Sequence, residues 1–241
     1  MRYDDGVRRE SLRIGGARVA SGRSSEVFNP YTRALVGTVA RASMAEVRRA
    51  IGIARAFRPR LTRYERYRIC QQTAETLRSR AEEIADLITA ESGLCKKDSI
   101  YEVGRACDVF IFAGNAALQD DGQIFSCDLT AHGRRRKVYT LREPLLGVIA
   151  AITPFNHPLN QVAHKIAPSI ASNNRMVLKP SEKTPLSALL LADVLYEAGL
   201  PPEMFSVLTG DPREIADEML THADVDLVTF TGGVATGKYI A

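Results

Sequence analysis

Three short stretches bring together side chains able to hold a nucleotide and to steady a developing negative charge. They are Thr153-Pro154-Phe155-Asn156-His157-Pro158, Lys179-Pro180-Ser181-Glu182 and Phe230-Thr231-Gly232-Gly233. Asn156 offers an amide donor, a group that stabilises an oxyanion when it is aimed at the reacting oxygen. Lys179 offers a cation, and Glu182 an acceptor for ribose hydroxyls. Gly232-Gly233 lets the start of a helix approach a pyrophosphate closely. Taken singly, each has an ordinary structural reading: Asn156 as a turn or helix cap, Lys179 as a solvated strand end, the glycines as a generic turn. Their joint occurrence at predicted strand ends favours a shared cleft instead. No Gly-x-Gly-x-x-Gly follows a strand, so the usual dinucleotide fingerprint is absent.

The elements that must carry these stretches are strands alternating with helices. Near-continuous apolar runs predict strands over 147–153, 176–179, 205–208 and 227–230. Helices are predicted over 159–172, 185–198, 211–221 and from 234 onward. This alternation implies an α/β fold: an open, mostly parallel sheet with helices on both faces and ligands beyond the carboxyl ends of the strands. Val162, Ile166, Leu189, Leu191, Val194 and Ile215 are its expected core. Upstream, residues 1–41 read as short strands and turns. Ser43 with Glu46, and Thr62 with Glu65, form capping boxes. They predict a helix from 43 and one long helix from 62 to Gly93, followed by a third over 96–117. Residues 124–143 read as a protruding hairpin, with strands 125–129 and 137–141 around His132-Gly133. The expected division is thus 1–123, strands and helices packed on the nucleotide domain; 124–143, the hairpin; and 144–241, the nucleotide-domain core. Residue 241 falls inside a helix that has only begun, so an interrupted chain is expected.

Composition narrows the class. Hydrophobic residues make up 45% and charged residues 25% of the chain, enough for a packed core. The net charge is only +4, and Trp is absent, which disfavours a nucleic-acid surface. The one dense basic run, Arg134-Arg135-Arg136-Lys137, fits a solvated hairpin or a subunit contact. Cys70, Cys95, Cys107 and Cys127 lack metal-ligand spacing, and no apolar run is long enough for a membrane helix. No bound metal, a reducing cytoplasmic setting and free thiols are expected.

In order and spacing, the three stretches resemble the aldehyde dehydrogenase superfamily. The shared motifs read TPFN at 153–156, LKPSEKTP at 178–185 and FTGG at 230–233; Glu197-Ala198-Gly199-Leu200-Pro201-Pro202 and Leu208-Thr209-Gly210-Asp211 resemble it too. The resemblance covers nearly the whole chain. It implies a Rossmann-like NAD-binding domain with an oligomerisation hairpin. It implies that Asn156 is the oxyanion amide, and that Thr153, Pro154, Phe155, Lys179, Ser181, Glu182, Phe230, Thr231, Gly232 and Gly233 line the NAD site. Many relatives carry Ser where Gly233 stands, so one phosphate hydrogen bond must come from backbone or water. The family's Gly-Asn turn is Asn173-Asn174 here, and Asn tolerates a left-handed backbone. The family's nucleophilic Cys and general-base Glu lie further along than residue 241, and no cysteine here stands in the nucleophile's context.

The resemblance further implies NAD-dependent oxidation of an aldehyde through a cysteine thiohemiacetal, in a homodimer or homotetramer. Arg105 and His157 are the expected substrate-binding cations, which suits a small anionic aldehyde. Phe155 to Asn160, with Gly104-Arg105, resembles the branch acting on phosphonoacetaldehyde. Succinate semialdehyde, lactaldehyde and glyceraldehyde 3-phosphate are the alternative substrates. A CoA-acylating dehydrogenase and a non-catalytic nucleotide-binding module are the alternative functions.

Overall fold

The computed structural model describes residues 2–4, 7–119, 122–141 and 145–241. In chain order the described elements are β1 (Arg2–Asp4), β2 (Val7–Glu10), β3 (Leu12–Ile14), β4 (Ala17–Val19), β5 (Ser24–Phe28) and β6 (Leu35–Ala40). The helices α1 (Met44–Ala56), α2 (Arg63–Ser79), α3 (Ala81–Ser92) and α4 (Lys96–Ala117) follow, then β7 (Gly122–Ser126) and β8 (Lys137–Leu141). The alternating part comprises β9 (Val148–Ile152), α5 (Asn160–Ala171), β10 (Arg175–Lys179), α6 (Leu186–Glu197), β11 (Phe205–Val207), α7 (Pro212–Thr221), β12 (Leu227–Phe230) and α8 (Val234–Ile240).

The main sheet has the order β12-β9-β10-β11-β3-β4. β12, β9, β10 and β11 are parallel, while β3 joins β11 and β4 joins β3 antiparallel. Side chains alternate across it, as the pleat requires. Val148, Ala150 and Val177 pack with Val47 and Ile51 of α1 and with Ile215 and Met219 of α7. Ile149, Ala151, Met176 and Leu178 pack on the opposite face, with Val162 and Ile166 of α5 and Leu189 and Leu191 of α6. The core residues expected from the sequence, Val194 and Ile215 among them, are fully buried. Helices cover both faces, and α2, α3 and α4 add an outer layer on the α5–α6 side.

Both capping boxes form, at Ser43 and at Thr62. Asn173 holds the left-handed turn before β10, with φ of 63°, and its side chain exchanges hydrogen bonds with the Leu61 backbone.

Two expectations need correction. The long helix from 62 to 93 is two helices, broken at Arg80 (φ −106°, ψ 20°). The Arg80 guanidinium turns back onto Glu83, and Glu82 and Glu83 favour a new helix N-terminus. Without Gly or Pro there, the apolar period runs on through the break. The first hairpin strand is 122–126 rather than 125–129, because Cys127 N–H already bonds Arg136 O and closes the loop. The main sheet is mostly parallel, with β3 and β4 adding an antiparallel edge, and the other amino-terminal strands form a second sheet, β1-β2-β6-β5. β7 and β8 pair with each other, and all their residues are exposed. Residues 142 and 143, the end of the expected hairpin, lie outside the described residues.

Candidate functional site

The order of the parallel strands fixes where a ligand can sit. From β9 the chain steps to β10 and β11 on one side, then returns to place β12 on the other side of β9. The strand order thus reverses at β9, and in parallel α/β sheets ligands bind beyond the carboxyl ends of the strands at such a reversal. Ile152, the last residue of β9, stands opposite both Lys179 and Phe230. The three chemically suggestive stretches therefore begin side by side at one edge of the sheet.

Backbone and side-chain bonds draw them together. Thr153 N–H donates to Lys179 O (3.2 Å), and Thr231 N–H to Ile152 O (3.1 Å). Thr184 Oγ1 reaches Phe155 O (3.5 Å), and Lys183 Nζ lies 4.6 Å from the centre of the Phe155 ring. Thr153 and Ser181 are buried, Phe155 and Asn156 are exposed, and Pro154, Phe230 and Thr231 are half-buried.

Lys179 is buried, with Nζ 3.1 Å from Pro180 O and 3.5 Å from Glu182 Oε2. Burial lowers its pKa, and the Glu182 carboxylate acts in the opposite direction. The Glu182 side chain is half exposed and borders a cavity of about 340 Å³ with Arg41, Asp211 and Arg213. A carboxylate held this way presents free acceptor oxygens to vicinal hydroxyls. Gly232 packs closely: a Cβ there would lie 2.5 Å from Cζ of Phe230, so the ring would have to shift. At Gly233 a Cβ would meet open space, so that backbone is approachable.

His157 and Arg105 are placed differently from each other. His157 Nδ1 lies 3.3 Å from Glu102 Oε2, so the ring is held by a buried carboxylate of α4. Arg105 is exposed one turn further along α4, with its guanidinium 6.0 Å from the Tyr101 ring. It borders a groove of about 400 Å³ with Arg78, Ile100 and Tyr101. Its charge also reaches His164 on α5, whose pKa is lowered first by burial and then by Arg105 and Lys165. The groove at Arg105 is lined by residues of α2, α3 and α4 and not by the Asn156 turn.

Two further residues were not singled out from the sequence. Glu102 accepts hydrogen bonds from Leu159 N–H (2.8 Å) and Asn160 N–H (3.0 Å), besides holding His157. Lys165 is buried, donates to Thr229 Oγ1 of β12 (3.0 Å), and has a pKa lowered by burial. A charge within the apolar stripe of each helix was the available signal. Among the cysteines, Cys70 and Cys107 are buried, and burial pushes the Cys70 thiol up to about 12, the opposite of an activated nucleophile.

With this geometry, comparison with known proteins is direct. The profile of the aldehyde dehydrogenase family matches residues 18–241. A 3-sulfolactaldehyde dehydrogenase of Priestia aryabhattai is 36% identical over 235 residues, covering 97% of this chain and 49% of that protein. Aspartate-semialdehyde dehydrogenase 1 of Pseudomonas canavaninivorans is 39% identical, covering 90% of this chain and 46% of that protein. The crystal structure of an NADP-dependent glyceraldehyde-3-phosphate dehydrogenase from Bacillus halodurans, with NADP bound, superposes with a TM-score of 0.88 at 33% identity. It covers 96% of this chain and 50% of that one. Betaine aldehyde dehydrogenase from Staphylococcus aureus with NAD+ gives 0.87 at 30% identity, covering 96% of this chain and 46% of that one. The chain spans about half the length of the relatives it matches. By its sequence across 18–241 and by its fold, the chain belongs to the aldehyde dehydrogenase family.

Proposed function

We propose that the full-length protein carrying this chain oxidises a small anionic aldehyde to its carboxylic acid, with a nicotinamide dinucleotide as hydride acceptor. The observation that carries this reading is the meeting of the Asn156, Lys179–Glu182 and Gly232–Gly233 stretches at the carboxyl ends of β9, β10 and β12. These residues fit the cofactor. Lys179 and Glu182 suit the adenosine ribose, Gly232 and Gly233 allow close approach of the pyrophosphate, and Thr153, Pro154, Phe155, Ser181, Phe230 and Thr231 line the path between. Bound there, NAD supplies the hydride acceptor. Asn156 donates its amide N–H to the aldehyde oxygen as negative charge builds on it. The nucleophilic thiol and the carboxylate that activates water belong to the rest of the protein.

For the substrate, Arg105 is the proposed partner of the anionic tail and His157 a flanking group. By their names, three of the relatives above act on 3-sulfolactaldehyde, aspartate semialdehyde and glyceraldehyde 3-phosphate, aldehydes with an anionic group, and the fourth acts on betaine aldehyde, which is cationic. None of these names is phosphonoacetaldehyde, so they support glyceraldehyde 3-phosphate and similar anionic aldehydes better. The exposed β7–β8 hairpin suits pairing with a second subunit; a monomer by light scattering at micromolar concentration would refute that.

The test is NADH formation by the full-length protein on these aldehydes, with phosphonoacetaldehyde, succinate semialdehyde and propanal for comparison. Anionic aldehydes should give the higher kcat/KM. Arg105→Ala should lower it by about 1.5–3 kcal/mol on anionic substrates, the loss of a charged hydrogen bond, and hardly at all on propanal. Equal losses on charged and neutral aldehydes would defeat the role of Arg105. No oxidation of any aldehyde would defeat the function.

A further inference from the structure

Glu102 lies on α4, outside the three stretches, yet its carboxylate holds the end of one of them and the residues that follow it. It is 2% exposed. One oxygen accepts from Leu159 N–H and Asn160 N–H, the first free amides of α5, and the other faces His157 Nδ1. The residues on both sides of Asn156 are anchored. Phe155 O is met by Thr184 Oγ1, His157 by Glu102, and His157 O accepts from Gln161 N–H as α5 begins. Asn156 itself stays exposed between them.

The carboxylate has a rigid support. α4 packs along α2, where Cys107 Sγ contacts Ala74 O and Phe110 is fully buried. Burial raises the Glu102 pKa, and the two backbone N–H groups and His157 act against that, so its partners favour the charged form. A group whose only task was to close the end of α5 would need the backbone amides alone. The second oxygen on the ring next to Asn156 adds control of the residue that the proposed chemistry uses.

We propose that Glu102 is a positioning residue for the Asn156 amide, fixing the 156–160 turn through His157 and the Leu159 and Asn160 N–H groups. This rests on the reading of Asn156 as the oxyanion donor. A displacement of about 1 Å in such a group lowers turnover by about 100-fold. Residues acting as one unit show non-additive losses.

The experiment is a double-mutant cycle on the full-length protein: Glu102→Ala, Asn156→Ala and the pair, each with kcat, KM, NAD affinity and Tm. Glu102→Ala should lower kcat about 10- to 100-fold in the native background, with NAD affinity within about twofold. In the Asn156→Ala background it should add less than about threefold, because the amide it positions is gone. Glu102→Gln, which keeps the shape and one acceptor oxygen, should recover part of kcat. If the alanine variant does not fold, the cycle is read on Glu102→Gln. Losses that multiply in the two backgrounds, or a fall confined to Tm, would overturn the proposal. If Asn156→Ala alone leaves kcat intact, the oxyanion reading fails instead, which separates the two claims.

Discussion

Replacing Glu182 by Ser should change which dinucleotide the protein prefers. Its side chain is 51% exposed, with Lys179 Nζ 3.5 Å away, and it borders the cavity shared with Arg41 and Arg213. A 2′-phosphate on the ribose would bring nearly two negative charges to within about 4–5 Å of this carboxylate. Each charge pair is then worth about 1 kcal/mol in a solvent-like medium. Lys179, and the guanidinium groups across the cavity, offset part of that repulsion. A net penalty of about 1–2 kcal/mol remains, or roughly 5- to 30-fold in kcat/KM. NAD should therefore be preferred to NADP by that factor. Glu182→Ser removes the charge while its hydroxyl can still meet a ribose oxygen, so the ratio should fall towards one. The assay is steady-state kinetics with both cofactors at fixed aldehyde, repeated at high salt, where the wild-type ratio should shrink. Equal kcat/KM for NAD and NADP in the wild type, or a ratio unmoved by the substitution, would refute the reasoning.

Glu91 gives a pH signature. It is buried at the start of α6, accepting from Leu186 N–H (2.7 Å) and Ser187 N–H (2.9 Å), and burial raises its pKa from 4.5 to about 7. The folded state binds this proton more tightly than the unfolded chain, so the contribution is complete below 4.5 and is lost as pH rises through about 7. Glu91→Gln should flatten urea-measured stability by about 3 kcal/mol between those limits; an unchanged slope would refute it. Gly232→Ala should displace the Phe230 ring and destabilise by about 1–3 kcal/mol while weakening NAD affinity, read by Tm and by titration. Unchanged NAD affinity would show that this backbone does not approach the cofactor.

Much of the architecture was legible in the sequence because its signals are local. The apolar runs of β9 to β12 and the capping boxes at Ser43 and Thr62 need no knowledge of distant partners. Asn173-Asn174 shows a turn because Asn tolerates the left-handed region. Long-range pairings were not legible. Nothing near Leu12–Ile14 says that this strand will pair antiparallel with β11, nearly the whole chain away. The break at Arg80 was hidden because it uses a side-chain bond to Glu83 rather than Gly or Pro. The candidate site divides the same way. The motif stretches were visible, but Glu102 looked like one charge in a helix until the fold set it under Leu159 and Asn160. His157, expected as a substrate cation, is held by that same carboxylate.

The central claim is that the stretches meeting at the carboxyl ends of β9, β10 and β12 bind the dinucleotide while Asn156 steadies charge on the aldehyde oxygen. Asn156→Ala in the full-length protein tests it most directly, with kcat from NADH formation and NAD affinity from titration. The account predicts a fall in kcat of about 100- to 1000-fold, as for the loss of one oxyanion donor, with NAD affinity unchanged within about twofold. A kcat within a few-fold of the wild type would contradict it.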